Sequence, residues 1–142
     1  MKNTIKKVMD KEHERVEKIL EEFENSLWNL KLAREIFNRF DWTLEKHFFI
    51  EEKIIFTIYN SSDGESEDLN ELVKEHKEII WEIKKIKDNL DRGVRPSIAK
   101  LKGIHKAHSK FEDEVFYPRL DDELSEDEKE LIFERVEEVV RG

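Results

Sequence analysis

The stretch KEHERV, Lys11–Val16, has a near copy later in the chain, KEHKEI, Lys74–Ile79. In each copy a histidine stands where an apolar residue belongs. Around His13 the apolar positions are Ile5, Met9, Val16, Leu20, Phe23 and Leu27, in steps of three and four that mark one face of a helix. Around His76 they are Leu69, Leu72, Ile79, Ile83, Ile86 and Leu90. Two more stretches have the same period. One runs Leu30, Ala33, Phe37, Phe40, Leu44, His47, Glu51, Ile54, Ile58, and the other Ile98, Leu101, His105, His108, Glu112, Val115. A shorter fifth helix is expected after SEDEKEL, where Ser125 and Glu128 have capping-box spacing. Its apolar residues are Leu131, Ile132, Val136, Val139 and Val140.

The breaks between these stretches complete the fold expectation. SSDGES (61–66) and RGVRPS (92–97) read as loops, with Pro96 suited to a first helical turn. The first break falls near Ser26–Lys31, and Pro118 is expected to end or kink the fourth helix. The chain of 142 residues is long enough for one domain with a real core. The expectation is an all-α, antiparallel up-down-up-down four-helix bundle over about residues 3–121. A short C-terminal helix follows over about 125–141, within a single domain spanning 1–142.

Composition removes several function classes. A net charge of −9 argues against nucleic acid as a partner. The absence of cysteine excludes disulfides, thiolate zinc sites and a cysteine nucleophile. No apolar run approaches the roughly 20 residues that span a bilayer. The N-terminus lacks the apolar core of a signal peptide, so no membrane partner and a cytoplasmic location are expected. There is no His-Glu-x-x-His motif, nucleophile motif or Gly-rich phosphate loop, so hydrolytic catalysis is disfavoured and an enzymatic role is left open.

Attention then falls on the polar residues in the apolar seams. All five histidines, His13, His47, His76, His105 and His108, occupy them, and so do Glu51 and Glu112, each four residues after a histidine. One core histidine is ordinary. Five in register with two carboxylates need a common partner, because buried polar groups without one are costly. In antiparallel hairpins, residues equidistant from a turn share a height. His13 with His47, Glu51 with His76, and His76 with His108 are each centred on or beside an expected break. The candidate metal ligands are therefore His13, His47, Glu51, His76, His108 and Glu112, with His105 and Asp113 as possible additions. Glu12, Glu75 and Asp113 are candidate partners that would orient the imidazoles.

So many donors exceed one tetrahedral zinc and are too rich in nitrogen for calcium or magnesium. Two first-row ions with Glu51 and Glu112 bridging fit better: iron first, then manganese, then zinc. The ferritin-like Glu-x-x-His pattern is absent. Phe48, Phe49, Phe111, Phe116, Trp42, Trp81 and Ile80 are candidate lining residues.

At these positions the sequence resembles the hemerythrin-like (HHE cation-binding) family, over about residues 5–120. The resemblance lies in His13; His47 with Glu51, Glu52, Ile55 and Phe56; Glu75 with His76; and His108 with Glu112, Asp113, Phe116, Tyr117 and Pro118. It implies a di-iron centre in a four-helix bundle that binds O2 or another small diatomic or peroxide ligand. Two departures stand out. Oxygen-carrying members have His-x3-His on the third helix, where this chain has Ile80. They also tend to have His-x4-Asp on the fourth, where His108 can pair with Glu112 or Asp113. Members with fewer histidines resemble metal-binding domains that respond to iron, nitric oxide or peroxide through a protein partner, which is the alternative reading.

Overall fold

The computed structural model describes residues 4–63 and 67–141, the side chains of 61–63, 67 and 141 excepted. The described residues form helices and short connections: α1 (Ile5–Asn25), α2 (Leu30–Phe49), a π-helical segment π1 (Ile50–Ile55), α3 (Phe56–Asp63), α4 (Glu67–Asp91), α5 (Ala99–Phe111), a second π-helical segment π2 (Glu112–Phe116), α6 (Tyr117–Glu123) and α7 (Glu126–Arg141). Segments α2, π1 and α3 make one continuous rod, as do α5, π2 and α6. With α1 and α4 they are the four rods of the bundle, and the all-α expectation holds.

Local chemistry sets the ends. Thr4 caps α1 by accepting from Lys7 N–H, and Asn29 caps α2 by accepting from Leu32 N–H. The link between α1 and α2 is thus the short run from Ser26 to Asn29, inside the expected break. At the end of α4, Gly93 takes φ 71°. Val94 N–H donates to Asn89 O and Gly93 N–H to Leu90 O, the paired bonds of a Schellman ending. Ser125 and Glu128 exchange the two hydrogen bonds of a capping box, as their spacing predicts.

Three expectations about the breaks need correction. Helix α3 continues through Asp63, so the loop does not begin at Ser61, and residues 64–66 of that loop lie outside the described residues. Pro96 lies in the connection rather than in a first turn, because α5 starts at Ala99. Pro118 does not end the fourth rod, which stays helical to Glu123. It falls in the turn after π2, where a missing N–H is tolerated as at other first-turn positions.

Side-chain pairs fix the antiparallel arrangement. Along α1 and the fourth rod, Ile5 N–H meets Asp121, His13 meets Asp113 and Lys102 meets Glu24, in opposite chain order. Along α2 and α4, Lys87 pairs with Asp41 and His76 with Glu52. The apolar core is split into two clusters. One, containing Val16, Phe23, Phe37, Leu44, Ile83 and Leu101, fills the end near the α1–α2 link. The other, containing Met9, Ile55, Leu72, Phe116 and Leu120, fills the opposite end and is covered by Ile132 and Val136 of α7. The histidine and glutamate layer lies between them. Among the described residues no helix is long and apolar enough to cross a membrane.

The π segments shift the inward face. Phe56 N–H donates to Glu51 O, and Tyr117 N–H donates to Glu112 O, each spanning five residues instead of four. Each π turn absorbs one extra residue and advances the buried stripe by one position. Tyr59 is therefore buried where Ile58 was expected, and Phe116 is buried where Val115 was expected; Val115 is 41% exposed.

Candidate metal centre

His13 comes from α1, His47 from the end of α2, Glu51 from π1, His76 from α4, His108 from α5 and Glu112 from π2. All six are buried, and both glutamates are fully so. Their ligating atoms form two overlapping groups: His13, His47, Glu51 and Glu112, and Glu51, His76, His108 and Glu112. Within each group the atoms lie no more than 4.8 Å apart, and both groups share the two carboxylates. The fourfold level expected from the sequence is realised.

The two halves match closely. His13 Nε2 lies 3.1 Å from His47 Nε2, and His76 Nε2 lies 3.1 Å from His108 Nε2. The ring centroids are 4.8 Å apart in both pairs. Glu51 Oε1 is 2.7 Å from His47 Nε2, and Glu112 Oε1 is 3.2 Å from both His13 and His108 Nε2. A pseudo-two-fold axis thus exchanges His13 with His76, His47 with His108, Glu51 with Glu112, and Glu52 with Asp113.

Second partners orient the rings. His13 Nδ1–H donates to Asp113 Oδ1 at 2.9 Å, His76 Nδ1–H to Glu52 Oε2 at 2.8 Å, and His108 Nδ1–H to Glu75 Oε1 at 2.7 Å. A carboxylate only accepts, so each bond places a proton on Nδ1 and turns Nε2 to the centre. Each partner lies on a different rod from the ring it holds. Asp113 orients His13 rather than joining either group, and Glu75 orients His108 rather than its neighbour His76. Glu12 is paired with Arg15. The role of Glu52 was missed, although it follows Glu51 as Asp113 follows Glu112.

The donor set calls for a cation. All four carboxylate oxygens of Glu51 and Glu112 are buried, and none makes a well-directed hydrogen bond among the described residues, although Glu51 Oε1 and Glu112 Oε1 lie close to imidazole nitrogens. Two carboxylates in a dry core attract positive charge from whatever faces them. Burial alone would lower the His13 pKa, but the hydrogen bond to Asp113 and the Glu112 carboxylate 3.2 Å from Nε2 outweigh it and raise it to about 10. His108 is raised to about 9 against burial, through the charge of Glu112 3.2 Å from its Nε2. Burial, with the neighbouring imidazoles His108 and His47, lowers His76 to about 3. For Glu112, burial raises the pKa, but the adjacent Glu51 carboxyl and the charge of His108 lower it overall. Two buried carboxylates and four imidazole Nε2 atoms around one point, which draw protons in where a cation would neutralise them, are the chemistry of a metal site, and the residues fit one.

The family comparison agrees with this geometry. The hemerythrin HHE cation-binding domain matches residues 4–120. The chain belongs to that family. No curated protein and no solved structure gives a match. Within this hemerythrin-like chain, metal binding through buried histidine and glutamate is therefore supported by fold, family and site together.

The two halves differ in what surrounds them. Phe48 stacks on His76 at 3.9 Å, and the position that the pseudo-symmetry pairs with it is Ser109, buried with its Oγ unpartnered among the described residues. Phe56 lies near His76, and its counterpart Tyr117 places its hydroxyl 3.4 Å from His13 Nε2. Leu44 has His105 as its counterpart, in neither ligand group but buried, with its pKa lowered to about 3 by burial and by His13 and His108. One half is sealed by aromatic carbon, while the other carries Tyr117, Ser109 and His105. A groove of about 580 Å³ between α1 and α5, lined by Glu17, Glu21, Gly103 and Lys106, reaches His105 from the surface. Of the expected lining residues, Phe48 and Phe116 are buried, and Ile80 and Phe111 sit half-buried at the core edge. Trp42, Phe49 and Trp81 are 64%, 50% and 60% exposed and line nothing internal. Their helical spacing places them beside the seam, not in it.

Proposed function

We propose that this protein holds two iron ions and binds O2 or a related small ligand at them. The observation that carries the reading is the pair of buried ligand groups sharing both Glu51 and Glu112. His13 and His47 would hold one ion, His76 and His108 the other, with the two glutamates between them. Iron bound there would supply reversible two-electron redox chemistry toward O2.

The chain's own residues do the rest. Asp113, Glu52 and Glu75 hold three imidazoles with Nε2 inward. Phe48 and Phe56 cover His76 and keep water from that half. A small ligand belongs on the His13 side, where Tyr117 is the nearest hydroxyl. Burial, with the negative charges of Glu112, Glu51 and Asp113, raises the Tyr117 pKa well above the usual phenol value. The phenol keeps its proton and can donate it to a ligand at His13. The α1–α5 groove gives such a ligand a path inward past His105.

The test is anaerobic loading with ferrous iron, followed by metal analysis and optical spectra before and after admitting air. Two irons per chain and a visible band that disappears when O2 is removed support oxygen binding. Irreversible oxidation favours a protein that senses or handles nitric oxide, peroxide or iron. No bound metal under any loading overturns the reading. His47→Ala and Glu51→Ala should each lower iron content and remove the visible band, and unchanged spectra in both would refute the ligand assignment.

A further inference from the structure

The pseudo-two-fold axis makes an unmet demand at one imidazole. Three of the four inward histidines have a carboxylate on Nδ1: Asp113 for His13, Glu52 for His76 and Glu75 for His108. His47 Nδ1 is buried with no hydrogen-bond partner among the described residues. Asp113 and Glu52 exchange under the axis. The counterpart of Glu75, which stands immediately before His76, is Glu12, which stands immediately before His13 in the repeated Lys-Glu-His sequence.

We propose that Glu12 is the positioning residue for His47, accepting its Nδ1–H as Glu75 accepts that of His108. This inference rests on the metal-centre reading and adds a residue to it. Glu12 is placed for the role, since α1 packs along α2 and His13 already touches His47 across that interface. Its side chain is only 12% exposed, so its carboxylate sits close to the protein interior. What it holds instead is weak: Arg15 Nη1 is 3.5 Å away, and Arg15 is 56% exposed. An exposed ion pair at that distance contributes little, whereas a buried imidazole N–H without an acceptor is costly. Exchanging Arg15 for His47 completes a set of four oriented rings, one carboxylate to each. It also fixes His47 in the tautomer that presents Nε2 to the centre.

The experiment compares wild type, Glu12→Ala, Glu12→Gln and Glu75→Ala, each titrated with Zn(II) against a competing chelator. Proton–nitrogen spectra of 15N-histidine-labelled protein follow, with and without Zn(II). The expected result is a slowly exchanging, downfield Nδ1–H for His47 in wild type that is lost in Glu12→Ala and present in Glu12→Gln, whose amide oxygen still accepts. Affinity for one of two zinc ions should fall by about 10- to 100-fold in Glu12→Ala, as it should in Glu75→Ala, with Glu12→Gln recovering most of it. Thermal melting of the metal-free variants checks that they remain folded. Glu12→Ala indistinguishable from wild type, beside a weakened Glu75→Ala, would overturn the role of Glu12 and leave the metal centre standing. Wild type that binds no zinc and no iron would remove the metal centre itself, while the His47 resonance would still report on Glu12.

Discussion

Tyr117 and Phe56 occupy matching positions on the two halves, one rod each, and differ by a single oxygen. That oxygen lies 3.4 Å from His13 Nε2, while Phe56 presents only ring carbon to His76. If the ligand sits at the His13 half, Tyr117→Phe removes one hydrogen bond to it without altering any ligating side chain. A hydrogen bond of this kind is worth about 0.5–1.5 kcal/mol net, roughly twofold to tenfold in an equilibrium constant. Tyr117→Phe should therefore retain full iron content and release the ligand faster by about that factor, measured by stopped-flow optical spectroscopy. Equal release from wild type and variant would place the ligand elsewhere. Much of this centre was legible in the sequence, because a histidine or glutamate in an apolar seam violates the pattern around it. The orienting carboxylates were less legible. Glu52 and Glu75 lie at the seam's edge, where acidic residues are common on any solvated helix, and only the meeting of rods separates Glu75 from Glu78.

At the scale of elements, helical period predicted the rods but not the π turns within them. A π turn leaves no residue type behind; it appears only as a one-residue slip of the buried stripe, from Ile58 to Tyr59 and from Val115 to Phe116. Both turns begin at or beside a central glutamate, at Ile50 and Glu112, where segments of this kind often mark functional sites. The α5 helix offers a test of access. Gly103 lies in its interior, lines the groove toward His105, and a Cβ added there meets nothing within 4 Å. Glycine in a helix interior costs about 0.5–1 kcal/mol relative to alanine. Gly103→Ala should therefore raise stability by that amount, read from urea unfolding, with ligand association unchanged. Gly103→Phe should fill the groove and slow association several-fold while equilibrium iron binding is kept. An unchanged association rate in Gly103→Phe would show that ligands enter by another route.

For the whole molecule, the buried cluster ties stability to pH in two opposite ways. In the metal-stripped protein, burial opposes protonation of His13 and His108. The Asp113, Glu112 and Glu51 groups facing His13, and Glu112, Glu51 and Glu75 facing His108, nevertheless raise them to about 10 and about 9. Their unfolded value is 6.5, so the folded chain holds extra protons above that pH. The stabilisation they give is complete below 6.5 and is lost as pH rises through 9 and 10. His76 and His105 behave in reverse. Burial, with His108 and His47 facing His76, and His13, His108 and His47 facing His105, holds both near 3, with Glu51 alone opposing. The unfolded chain takes up those protons first, so stability is lost as pH falls from 6.5 toward 3. Glu112, depressed despite burial by Glu51 and then His108, and Asp113, depressed despite burial by His13, deepen the acid loss. Urea midpoints of the stripped protein from about pH 4.5 to about 9.5 should therefore peak near the ordinary histidine value and fall on both sides. Loading with metal should flatten the alkaline limb, because an imidazole whose Nε2 is ligated has no proton there to lose. It should steepen the acid limb, because protons then compete with the ion. Identical alkaline slopes with and without metal would mean that the raised histidines are not the groups that hold it.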